Sequence, residues 1–249
     1  MIKSLFIIIL FFFINSGAIC SDINHLFNEA NDLFLKKNYE SAIKLYESII
    51  ERGYENSSVF YNLGNSYFRI EKIGQAIWAY RNAIRLKPRD IDIAHNLKVA
   101  EAYRADLISK PPILLIHDIY RKIKSSITIY ELFFLGGLFL FITSIIWSIK
   151  KLLKLYNRFF NSIFQYSLFI TLIVHIFILD VTFDVKNKEE AVVIDKVDVL
   201  SGPYMGDNKV LFQINEGTVV EILQVKEDWY EIILLDGKKG WVLSGSLRK

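Results

Sequence analysis

Phe60-Tyr61-Asn62-Leu63-Gly64-Asn65-Ser66-Tyr67, followed by Ala76, Tyr80, Ala83 and Pro88, decides how the first half of the chain is read. Shifting the sequence by 34 residues pairs Leu26 with Phe60, Asn28 with Asn62, Ala30 with Gly64, Asn31 with Asn65, Leu33 with Tyr67, Ala42 with Ala76, Tyr46 with Tyr80, Ile49 with Ala83 and Tyr54 with Pro88. Self-similarity at such a period marks a helical array. The small residues are the informative ones. Ala30/Gly64 and Ala42/Ala76 suit a close crossing of two antiparallel helices, where only a small side chain lets the backbones approach. Tyr46/Tyr80 and Leu33/Tyr67 fill the remaining space, and Pro88 ends a helix and sets the next turn.

A further helix, from Ile91 to about Leu107, repeats Asn96 and Leu97 at the same period. Lys98 then stands at the small-residue position and Glu101 at the aromatic one, which suits a terminal helix facing water. The pattern resembles the tetratricopeptide (TPR) repeat, with repeats at 24–55 and 58–89 and a capping helix at 91–107. The resemblance implies an all-α domain over 24–107. In it Ala30, Ala42, Tyr46, Gly64, Tyr67, Ala76, Tyr80, Ala83 and Pro88 are structural. The first helix of each repeat would line a concave face that binds extended peptides. There Asn28, Asn62 and Asn96 form one row and Asn31 with Asn65 a second, able to pair with a peptide backbone. The equally weighted alternative is that asparagine is simply common at these positions throughout the family. The lysines that clamp a ligand's carboxylate in chaperone-binding members are replaced, with Phe27 and Asp92 at candidate positions.

Composition frames this array. Of 249 residues, 52% are hydrophobic, the mean hydropathy is +0.28, and the excess is gathered in three long uncharged stretches. A net charge of +3 is too weak a bias for a nucleic-acid partner. The single cysteine, Cys20, rules out an internal disulfide framework and a cysteine-rich metal site. The four histidines are scattered. Cys20 lies in the leading segment, no glycine-rich loop would cradle phosphate, and no histidine pair has ligand spacing. No catalytic residue, metal or cofactor is therefore expected, and the protein reads as a non-enzyme.

Residues 1–20 read as a signal peptide: Lys3 supplies the positive end and Leu5 to Ile14 an apolar core too short to span a bilayer. Cleavage near Ala18 or Cys20, lipidation of Cys20 and retention as an anchor remain open, and each exports the residues on its C-terminal side. Leu132 to Ile149 and Phe159 to Leu179 are uncharged over lengths that cross a membrane. Spans are expected at 130–149 and 159–180. The loop 150–158 carries Lys150, Lys151, Lys154 and Arg158 with no acid, which places it in the cytoplasm. His175 sits inside the second span, where it serves a helix–helix hydrogen bond more readily than a proton path. Before the first span, 111–129 reads as an interfacial helix with Ile116, Ile119, Ile123 and Ile127 at helical spacing, after the Pro111-Pro112 break.

From Ala191 the period changes to two. Short strands at Ala191 to Ile194, Val210 to Phe212, Thr218 to Leu223, Trp229 to Leu235 and Gly240 to Leu243 are separated by glycine turns, predicting a small antiparallel barrel. Asp198-Val199-Leu200-Ser201-Gly202-Pro203, Asp228-Trp229-Tyr230, Asp236-Gly237 and Gly240-Trp241-Val242 resemble the bacterial SH3-like (SH3b) domain over 190–249. Such barrels bind cell-wall peptides or proteins. The resemblance leaves Trp229 and Trp241 as packing or ligand residues.

The whole order, signal, TPR repeats, two spans and terminal barrel, resembles the BatE proteins of bacterial Bat aerotolerance operons. That resemblance implies a multidomain membrane protein of the inner (cytoplasmic) membrane with both modules on the extracytoplasmic side. Its partners would be von Willebrand factor A-domain Bat proteins and a MoxR-type ATPase system, with peptidoglycan as a further candidate. A cell-wall-binding receptor or hydrolase regulator is the alternative.

Overall fold

The computed structural model describes residues 22–104, 115–204, 206 and 208–249, with the backbone alone at 186 and 187. The expected signal 1–20 with Cys20, and the Pro111-Pro112 break, lie outside the described residues. The chain divides into two compact units. One joins the N-terminal helices to the residues from Glu190 onward, and the other runs from Pro111 to Glu189.

The N-terminal helices are α1 (residues 22–35), α2 (Tyr39–Glu51), α3 (Ser57–Arg69), α4 (Ile73–Leu86) and α5 (Ile91–Ala102). Short polar side chains start three of them. Asn38 accepts from the Ser41 N–H, Asn56 from Ser58, and Asp90 from Asp92 and Ile93, each satisfying amides that a helix leaves unpaired. The 34-residue period extends to the backbone, since Lys37 and Glu71, one period apart in the hairpin turns, share φ of 62°. Ala30, Ala42, Tyr46, Ile49, Leu63, Ala76, Ile77, Ala79 and Ala83 are fully buried. A Cβ on Gly64 would stand 2.7 Å from the Tyr80 ring, so the hydrogen of a glycine is what admits that ring between α3 and α4. Pro88 lies in the turn before α5. Helix α5 ends short of the expected 107, and residues 105–107 of that expectation lie outside the described residues. The helix stops at Ala102, where the Arg104 Nε donates to the Glu101 carbonyl at 3.2 Å and closes the last turn.

In the same unit, apart from Glu189 at the start of β1, the strands β1 (Glu189–Val193), β2 (Val197–Leu200), β3 (Val210–Ile214), β4 (Val219–Lys226), β5 (Trp229–Ile233), β6 (Lys239–Leu243) and β7 (Leu247–Arg248) form one sheet in the order β3-β2-β6-β5-β4-β1-β7. The registered pairs are antiparallel. Val193, Val199, Ile232 and Val242 are its fully enclosed apolar residues. Gly240 lets β6 approach β2, because a Cβ there would strike the Val199 side chain and lie 2.9 Å from the Leu200 carbonyl. Two strands, β2 and β7, are additional to the five expected. They are four and two residues long, too short for alternation to stand out.

The other unit holds α6 (Leu115–Ser126), α7 (Ile129–Leu152) and α8 (Arg158–Asn187). Both α7 and α8 are long and apolar enough to cross a membrane, each with mean hydropathy 2.2 over its most apolar window. The connection is shorter than the expected 150–158. Lys150 and Lys151 belong to the last turn of α7, and Arg158 opens α8 behind the Asn157 cap. Thr128 and Glu131 form a reciprocal capping box at the start of α7. The two helices are joined by hydroxyl groups: Thr143 Oγ1 lies 2.6 Å from Ser167 Oγ and 2.8 Å from Thr171 Oγ1. His175 does not provide the cross-helix bond expected of it. Its Nδ1 pairs at 2.8 Å with the Thr171 carbonyl, one turn back in its own helix. Helix α6 ends at Ser126, short of the expected 129, and residues 111–114 of that expectation lie outside the described residues. Leu115, Ile116, Ile119 and Ile123 remain exposed, Lys124 pairs with Asp180 at 2.6 Å and with Asp184, and Tyr120 stacks edge-on against Phe177.

Candidate binding surfaces

The asparagine rows come together, and they bond to one another. Asn62 Nδ2 donates to Asn31 Oδ1 at 2.8 Å, and Asn96 Nδ2 donates to Asn65 Oδ1 at 3.0 Å. Each accepting oxygen also takes a tyrosine hydroxyl, Tyr46 on Asn31 at 2.6 Å and Tyr80 on Asn65 at 2.8 Å. Asn31 and Asn65 therefore spend their carbonyls inside the array, and the expected row of ligand-facing amides becomes an inter-repeat seam. Asn96 makes a second donation, to the Tyr61 hydroxyl at 2.9 Å. Asn28, at the head of the first row, is exposed. Burial holds the Tyr46 phenol at about 12 and pushes Tyr80 up as well, so both remain donors near neutrality.

A second surface of the array carries the sheet. Arg248 of β7 lies with its guanidinium carbon 3.8 Å from the Trp78 ring centroid. It donates to the Tyr67 hydroxyl at 2.9 Å and to Glu47 Oε1 at 2.9 Å. Tyr67 itself donates to Glu47. Burial, then the Glu47 carboxylate, raise the Tyr67 phenol to about 12. Around this centre Trp78 Nε1 donates to the Lys249 carbonyl at 2.5 Å, the Gly74 N–H to Glu216 Oε2 at 3.1 Å, and Arg81 pairs with Glu190. Val192 and Val219 pack into the helical core. Gly217 is held at φ +79°, and a Cβ on it would sit 2.6 Å from Ile77 Cδ1. None of Glu47, Arg81, Glu190 and Arg248 stands out in the sequence as a contact residue, since the partners lie 109 to 201 residues apart. The one available signal is Trp78, a large aromatic outside the positions that recur at the 34-residue period.

On the sheet, Trp229 is 7% exposed and serves as packing. Trp241 is half-buried on β6, opposite Leu200 of β2 and Glu231 of β5. Val210, Leu211, Leu223, Val225 and Leu235 are exposed apolar residues of the sheet and its turns. Tyr204, 56% exposed, stands in the loop after β2 where Asn208 Nδ2 donates to the Gly202 and Tyr204 carbonyls. Tyr204 is not among the ligand residues expected from the sequence, although Gly202-Pro203-Tyr204 places an aromatic in a turn.

Residues 196–248 match the family model of the bacterial SH3 domain. The match covers about a fifth of the chain, takes in β2 to β7 and begins after β1. No curated protein matches the chain. The SH3 domain is therefore built on a strand that precedes its matched residues: Val192 and Val193 of β1 pair with Arg248 and Leu247 of β7. That strand also touches the helical array.

Proposed function

We propose that this protein is a non-enzymatic, membrane-anchored scaffold of the bacterial envelope. Its helical array is read as TPR repeats and its architecture as that of a BatE-type protein working in a Bat aerotolerance complex. The partners would be von Willebrand factor A-domain proteins and a MoxR-type ATPase system. The observation that carries the reading is that α1 to α5 and the SH3 domain form one compact unit, although two apolar helices separate them in sequence. An even number of crossings returns the chain to the side it left, so a two-span anchor is compatible with that contact. The positive connection favours a cytoplasmic turn and an outward-facing unit. The test is affinity capture of the intact protein from bacterial membranes. Recovery of Bat-type proteins supports the scaffold, and recovery of wall fragments alone overturns it.

The second reading is a cell-wall receptor or hydrolase regulator acting through the SH3 domain. The matched family favours it, because bacterial SH3 domains often bind cell wall. Exposed Tyr204 and half-buried Trp241 are the aromatics a glycopeptide would meet. Retention of purified peptidoglycan by the protein, lost on Tyr204→Ala, supports this alternative.

A further inference from the structure

The centre of the contact between the array and the SH3 domain has the chemistry of a ligand site. Trp78 offers an aromatic face, Glu47 a carboxylate and Tyr67 a hydroxyl that both accepts and donates. A guanidinium is the group that uses all three, since its plane stacks on the ring while its fork donates sideways. An ammonium can pair with the carboxylate but lacks the planar fork that stacks on a ring while donating sideways. We propose that Glu47, Tyr67 and Trp78 form an arginine-recognition site on the helical array, filled in this chain by its own Arg248, and that an arginine-bearing segment of a partner opens the pair by taking Arg248's place.

Exchange is physically accessible. The Arg248 and Glu47 side chains keep 28% and 29% of their surface in water, so breaking the pair leaves neither charge stranded in a dry core. Strand β7 is two residues long and its registered partner is β1. Contacts between domains of one chain resemble transient interfaces and open readily unless large and apolar. The inference rests on the proposed protein-binding role only for the competitor's source, so the test uses a synthetic peptide.

Full-length protein in nanodiscs is followed by hydrogen–deuterium exchange over α4. Arg248→Glu is expected to speed exchange there about fivefold or more. Arg248→Lys, which keeps the charge but loses the planar fork, should still speed exchange there, about twofold or more. In Arg248→Ala, a capped Ser-Leu-Arg-Lys peptide should slow exchange about threefold, and capped Ser-Leu-Ala-Lys should leave it unchanged. Wild-type exchange in Arg248→Lys, or equal protection by the two peptides, overturns the proposal.

Discussion

Asn62 donates to Asn31, and one period later Asn96 donates to Asn65, with the acceptors held by Tyr46 and Tyr80 in turn. The bond is thus a unit of the repeat. Removing an acceptor strands a buried phenol, which costs about 1–3 kcal/mol. Asn65→Ala should lower the melting temperature of the purified protein clearly, whereas Asn28→Ala, at an exposed position, should leave it unchanged. Equal effects would assign these amides to ligands instead.

Gly64 gives a packing prediction. A leucine there meets the Tyr80 ring, whose nearest atom lies 2.7 Å from the first added carbon. Overpacking of this kind costs about 1–3 kcal/mol, and a branched side chain against an immobile ring lies at the upper end. The readout is thermal unfolding by circular dichroism, with Gly53→Leu as an unsuitable control because its φ is +78°. Gly137, with open space around its Cβ position, is the better one.

Gly217 tests the array–SH3 contact from the other side. Alanine there combines a left-handed backbone with a clash at Ile77 Cδ1, and strain at such a φ alone costs about 1 kcal/mol or more. Gly217→Ala should speed amide exchange in α4 as well as in β4. Exchange confined to the sheet would mean the contact tolerates the added methyl.

The legibility of the fold follows from range. The period of 34 is readable because Tyr46 and Tyr80, or Ala42 and Ala76, report the same environment twice. The spans are readable from uncharged length. The asparagines are visible as a row, but their role is not, since Asn31 and Asn62 meet across a helix crossing that spacing does not encode. Arg248 and Glu47 carry no local trace of each other. β7 is shorter than one alternation.

Alkaline titration provides a further check. The Tyr46 and Tyr67 phenols sit at about 12 in the folded protein against an ordinary 10.0. The unfolded chain loses those protons first, so stability is fully present below about pH 10 and declines as pH rises toward about 12. Urea midpoints should fall across that window. Tyr67→Phe should reduce the slope, and an unchanged slope would place its phenol in water.

Topology is checked by fusions. Alkaline phosphatase joined after Lys249 should be active, and inserted within 153–157, between α7 and α8, inactive. The reverse pattern ends the envelope reading.

Strand β1 lies before the residues that match the SH3 family, yet its Val192 belongs to the helical core and its Val193 to the sheet. The two modules are therefore not interchangeable parts. A chimera that swaps in another bacterial SH3 domain at residue 196 keeps β1 on the array but loses Glu216, Gly217 and Arg248 unless the donor supplies them at the same places. Recombination at that boundary would be selected against. Sequences descended from this one should change these three positions together with Gly74, Ile77 and Glu47, or leave all six alone.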